Sequence, residues 1–257
     1  MARHPSLVLG ACLCLIIIAG CSDDATNDGG AAGNDDATAA AQEHDPDASP
    51  MLREPPGAYS ILQPDLAGDF LTDIGGTYVL NAETYSVSKA FPSEAKGYEL
   101  LTDWGYTGGY ETGYIPEGRE QAVLNGAYYF AVESHLFEDE EGAKQAFRYI
   151  NERLTESPVA SETFSGPVGN EWKAWESPGD VIPGSSANSV HHRMVFRRGN
   201  MLAMVATWGA EHLTTIRRAY ELALIIDEKA LGERETIEPT PTTNGATSGD
   251  GATAAGG

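Results

Sequence analysis

The chain has 257 residues, with Lys+Arg 16 against Asp+Glu 38 and a formal net charge of −22. So large an acidic excess argues against a nucleic-acid surface and against direct adsorption to an anionic membrane. All three cysteines lie at or before Cys21, so the rest of the chain has no disulfide, no thiol nucleophile and no Cys-ligated metal. Once the polar ends are set aside, the length suits one domain with its own core.

The first stretch has three zones. Met1 to Ser6 carries Arg3, Leu7 to Ile18 is an almost unbroken apolar run, and Ala19 and Gly20 are small. A charged start, an apolar middle of about 7–15 residues and a small-residue cleavage site make a secretion signal. The run is too short to span a bilayer, which takes about 20 apolar residues. Ile18-Ala19-Gly20-Cys21 resembles a lipobox, the signature of bacterial lipoproteins. The resemblance implies a signal peptide over 1–20, cleavage before Cys21, diacylglycerol on the Cys21 sulfur and a further acyl chain on the new N-terminus. The partner it implies is a membrane, held through the lipid on Cys21, since two or more chains anchor stably where one is marginal. The expected location is the cell envelope. Ser22 follows the cysteine where an aspartate could stand, which in a two-membrane cell implies the outer membrane. In a one-membrane cell the protein would sit on the outer face of the cytoplasmic membrane.

Residues 21–56 read as an acidic tether, rich in Ala, Gly, Asp, Asn and Thr and without aromatics. Such a segment cannot bury enough apolar surface to offset its ordering entropy. Residues 238–257 read as a disordered tail, which leaves one domain over 57–237. Within it, Pro64 to Leu71 suggests a short helix or turn, and Thr77 to Ser88 gives mixed signals. Trp104 to Ile115 and Ala122 to Phe137 read as strands, the second with Leu124, Tyr128, Phe130, Val132 and Leu136 on one face. A helix follows at about 139–154, with Ala143, Ala146, Phe147, Ile150 and Leu154 in one stripe and acids at its N-terminal end. Short strands are expected near Val159–Phe164 and Glu171–Trp175, then a loop over Ser177–Ser189. Val190–Arg197 and Met201–Trp208 form a hairpin about Arg198-Gly199-Asn200. A second helix, at about 211–231, ends at Gly232.

Strands and helices in this uneven order predict an α+β fold, an antiparallel sheet built from hairpins with the two main helices packed on one face. The segments Asp103-Trp104-Gly105-Tyr106, Phe137 to Ala143 and Val195 to Asn200 resemble stretches of uncharacterised bacterial surface lipoproteins. The layout is loosely similar to Mog1/PsbP-like lipoproteins and to extracellular sensor domains. No functional residue is carried over from that resemblance.

Motifs for chemistry are sparse. His191 and His192 are adjacent on a strand and point to opposite faces. His135 shares a face with Glu133, and no metal-ligand spacing, G-x-S-x-G elbow or phosphate cradle occurs. No catalytic residue, cofactor or metal ligand is therefore assigned. Two features stand out. Trp104, Tyr106, Tyr110 and Tyr114 share one face if their segment is a regular strand, a candidate stacking platform for a flat ligand, set against the plainer reading of core rings. Arg193, Arg197 and Arg198 flank the hairpin tip, either paired with carboxylates or forming a candidate anion or partner patch. The sequence thus reads as a lipid-anchored, non-catalytic envelope protein binding a ligand or partner. The alternatives are a surface-anchored hydrolase using scattered carboxylates and histidines, and a structural envelope component.

Overall fold

The computed structural model describes residues 47–66, 70–88, 90–237 and 239. The expected signal peptide, the lipobox with Cys21, residues 22–46 of the tether and most of the tail lie outside them. Among the described residues no helix is long and apolar enough to cross a membrane.

The fold is α+β. Seven strands form one antiparallel sheet: β1 (Phe70–Leu80), β2 (Tyr106–Pro116), β3 (Tyr129–Phe137), β4 (Ser161–Thr163), β5 (Glu171–Val181), β6 (Asn188–Arg198) and β7 (Met201–Ala210). Their order across the sheet is β1-β2-β3-β7-β6-β5-β4. Among the described residues six α-helices accompany them, besides a short 3-10 turn at Gln63–Asp65: α1 (Pro56–Tyr59), α2 (Ala82–Ser86), α3 (Glu94–Asp103), α4 (Arg119–Leu124), α5 (Glu140–Thr155) and α6 (Ile216–Ala230). The expected hairpin is β6–β7, in register from Ser189 opposite Ala210 to Arg198 opposite Met201. Gly199 supplies the left-handed turn residue at φ +55.

The two long helices lie on opposite faces of this sheet, not on one. Ala219, Leu222, Ala223 and Ile226 of α6 pack with Met194, Phe196, Ala203 and Val205. Ala143, Ala146, Phe147 and Ile150 of α5 pack with Trp175, Val195, Leu202 and Met204. Successive residues of β6 and β7 thus feed different clusters. The cause is in the sequence of β7: Met201 to Ala206 contains no polar residue, so both faces of a central strand need cover.

Other elements differ from expectation locally. The start of the long strand expected from Ala122 is α4, and β3 begins only at Tyr129. α3 has no counterpart among the expected elements; its start is set by the Ser93 hydroxyl, which accepts from the Lys96 amide. β5 runs through Pro178, where the register with β6 breaks. A proline is tolerated there because β4 pairs only with residues 174–176, leaving its amide side at an edge. The folded unit also reaches back to Asp47, into the stretch expected as tether. Leu52 is buried in the α6-side core, and the Asn170 and Arg198 side chains donate to the Ala48 carbonyl.

Candidate functional site

The four expected platform rings do not form a strip. Trp104 is the C-cap of α3 and precedes β2. The β2–β3 register shifts between Tyr106 and Gly108, and the extra residue turns the rest of β2 over. Tyr106 therefore packs near Phe137 on the α5 face, while Tyr114 stacks on Phe130 on the other. Trp104, Tyr110 and Tyr114 are buried and Tyr106 is half-buried.

The arginines do not form a surface patch either. Arg198 is 1% exposed and donates to both Asp227 carboxylate oxygens, at 2.7 and 2.8 Å. Arg197 is also buried, with its guanidinium on Glu171 at 3.0 Å, Glu140 at 3.1 Å and the Gly199 carbonyl at 2.9 Å. Both are internal braces at the hairpin tip. Arg193 alone stands on the sheet face, half-buried.

What the structure does assemble is a cleft on the α5 face. Toward α6, β3 and β7 are buried at Phe130, Val132, Ser134, Ala203, Val205 and Thr207. On the α5 face only half of each strand is covered. His135, Phe137, Leu202 and Met204 are buried, whereas Ala131, Glu133, Ala206 and Trp208 stay partly exposed. Tyr85 of α2 closes the covered end by stacking on the His135 ring at 4.2 Å. At the other end Val123, Ile182 and Ala210 form a small cluster with Trp208 packed against it. Between these ends the sheet itself is the floor. Register places Gly113, Ala131, Ala206 and Arg193 in one row across β2, β3, β7 and β6. Glu111 and Glu133 lie opposite each other in the next row, and Tyr129, Trp208 and His191 form the row on the far side. The small residues make a flat floor with an acidic wall, an aromatic wall and a guanidinium at one end.

The acidic wall is electrically unbalanced. Glu133 accepts from His135 Nε2 at 3.1 Å, and His135 Nδ1 meets the Tyr106 hydroxyl at 3.2 Å. Gly109 makes room for that contact, since a Cβ there would strike both Tyr106 Oη and His135 Nδ1. Burial pushes the Glu133 carboxyl up, but the His135 hydrogen bond and charge, and then Arg193, outweigh it and leave Glu133 below the usual carboxylate range. Glu111 has no such help. Burial and the Glu133 charge push it up to about 7, and neither Glu111 nor Arg193 makes a side-chain hydrogen bond or ion pair among the described residues. The raised pKa means that the folded chain holds a proton which the unfolded chain has lost between about pH 4.5 and 7. The Glu111 contribution therefore lowers stability as pH rises through that window.

The histidines are engaged elsewhere. His135 is fully buried with both ring nitrogens engaged, so it has no nitrogen to offer a substrate. The other carboxylate–histidine pair, Glu176 and His192 at 3.5 Å, is buried on the α6 face. Burial pushes His192 down to about 4 and Glu176 up to about 7. Among the described residues no group of three or more His, Cys, Asp or Glu is placed to hold a metal ion. A wide-open hollow between α2 and α3 is lined by Glu83, Ser86, Ser93, Glu94, Ala95 and Tyr98. It has no cation and no unpartnered buried group, so the sheet cleft is the stronger site. Periodicity on β3 already placed Glu133 and His135 on one face. Glu111, Tyr85 and the Ala131–Ala206 floor emerge only from strand order.

No family model matches the chain. No curated protein sequence matches it either. Among solved structures, it is similar to the extracellular domain of PknH from Mycobacterium tuberculosis, at 12% identity over 64% of this chain and 84% of that one, with a TM-score of 0.34. It is also similar to LpqN, involved in cell envelope biogenesis of the same organism, at 11% identity over 67% of this chain and 86% of that one, with a TM-score of 0.23. At these scores neither transfers a role or a residue.

Proposed function

We propose that the chain is an exported envelope protein, held by lipid on Cys21, whose α+β domain binds a small ligand without chemistry in the sheet cleft. One observation supports the binding reading above the others. The central strands β3 and β7 leave Ala131, Glu133, Ala206 and Trp208 accessible on a face whose other half is buried. A central strand left open over half its length is a site kept free, because apolar area there would otherwise be covered at about 25 cal/mol per Å² of gain. The lipobox supports the anchoring, and the engagement of both His135 ring nitrogens supports binding over histidine-assisted hydrolysis. A purely structural role has no use for unpaired charges on that floor.

One mass measurement on the protein isolated from the cells that make it tests both halves. Under denaturing conditions the mass is expected to be that of a chain starting at Cys21 plus acyl lipid; an unprocessed, unlipidated mass overturns the anchor. Under native conditions a small adduct is expected that denaturation removes and that Ala206→Trp, which fills the floor, abolishes. No adduct, or one that survives Ala206→Trp, overturns the cleft.

A further inference from the structure

Resting on that reading, we infer that the cleft takes a small zwitterion, an amino acid or short peptide whose ammonium group sits at Glu111 and Glu133 and whose carboxylate sits at Arg193. Among the described residues, two opposite charges on this face make no hydrogen bond or ion pair. Glu111 on β2 and Arg193 on β6 are each half-buried, on one face of the sheet, and neither has a hydrogen bond or ion pair among the described residues. In a chain with 38 acidic residues against 16 basic ones, a half-buried arginine with no carboxylate at ion-pair distance stands out. The other two arginines of this strand are fully engaged.

Their separation sets the ligand's size. β3 and β7 lie between β2 and β6, so three strand spacings, about 14 Å, divide the two backbones. The Arg193 charge is felt across that span, at both Glu133 and Tyr85. Glu111 and Arg193 stand in neighbouring rows of that face, and a small ligand with a charge at each end, an amino acid or a dipeptide, is of the scale of that span. Glu111 also faces Glu133 directly across the ladder, an arrangement that costs energy until a cation sits between the two. At the other end the Ser177 hydroxyl is buried without a partner. It lies on β5 two residue pairs along from Arg193, opposite His191 and on the same face, a second donor for a carboxylate. The floor of Ala131 and Ala206 and the rings of Tyr129 and Trp208 then meet the ligand's apolar part.

The test is calorimetric titration of the full chain in detergent with L-leucine and L-alanyl-L-leucine, alongside 3-methylbutylamine, which lacks the carboxylate, and 4-methylpentanoate, which lacks the amine. At least one zwitterion is expected to bind at least about tenfold more tightly than either single-charge analogue, since each lost charged contact is worth a factor of ten or more. Glu111→Gln is expected to erase the zwitterion's advantage over 4-methylpentanoate, and Arg193→Met its advantage over 3-methylbutylamine. Glu111→Gln should also melt higher than the parent above pH 7 and equally near pH 4.5, which shows that any lost binding is not lost folding. Equal binding of the amine and the zwitterion overturns the proposal in favour of a simple cation site. Binding of neither zwitterion, with the native-mass adduct still present, overturns it in favour of another ligand class while leaving the cleft reading intact.

Discussion

Asp227→Ala is expected to cost about 3–5 kcal/mol, because it leaves a buried guanidinium without its counter-charge. Arg198 is 1% exposed and holds both Asp227 oxygens; Asp227 Oδ2 also accepts from the Gly169 amide at 3.1 Å. The Arg198 guanidinium also donates to the Ala48 carbonyl at 2.7 Å. For a domain of this size that cost is a fall in Tm of roughly 6–20 °C. Asp227→Leu combined with Arg198→Met removes both charges and is expected to recover most of the loss, as apolar replacements of buried pairs do. Thermal melts of the single and double variants check this. A single-variant shift under about 2 °C would show that the pair is not buried.

Asn200→Ala is the second large loss. The side chain accepts from the Leu52 amide at 2.7 Å and donates to the carbonyls of Leu52 at 3.1 Å and Phe137 at 2.7 Å. Truncation leaves three buried backbone groups unpaired at about 1–3 kcal/mol each, for a total of at least about 3 kcal/mol. The change should also free the segment Asp47–Arg53, so trypsin cleavage after Arg53 is expected to accelerate beyond what the loss of global stability accounts for. Equal acceleration at Arg53 and at sites in the sheet would show that Asn200 stabilises the core alone.

Asn200 also shows what the sequence hides. As a Gly-Asn turn it reads as surface punctuation, yet its amide joins the chain's entry point to the middle of the sheet through contacts 148 and 63 residues away. The same limit applies at Arg197 and Arg198, which stand at a hairpin tip by local reading. Asp227 arrives from α6 and Glu140 from α5, and the tip becomes interior. Local periodicity did carry the α5 stripe, the β6–β7 hairpin and the α+β class, because each depends on neighbours within one or two elements. The aromatic strip failed on a single extra residue between Tyr106 and Gly108, which no periodicity reveals. The cleft lay deeper still. Gly113, Ala131, Ala206 and Arg193 come from four strands, and only the pairing of β3 with β7 lines them up.

β7 is open on one side and sealed on the other, and cysteine labelling reads this directly. The chain carries no cysteine after Cys21, so replacing Cys12, Cys14 and Cys21 by serine gives a clean background. Single Ala206→Cys and Ala203→Cys variants then report the two faces of one strand, three residues apart. Ala203 is fully buried under α6, so its thiol should react with a maleimide only when the domain opens, at least about 100-fold more slowly than the thiol at 206. That ratio is the result expected here. Equally slow labelling at both positions would mean that the cleft is covered, and the binding site proposed for it would not exist.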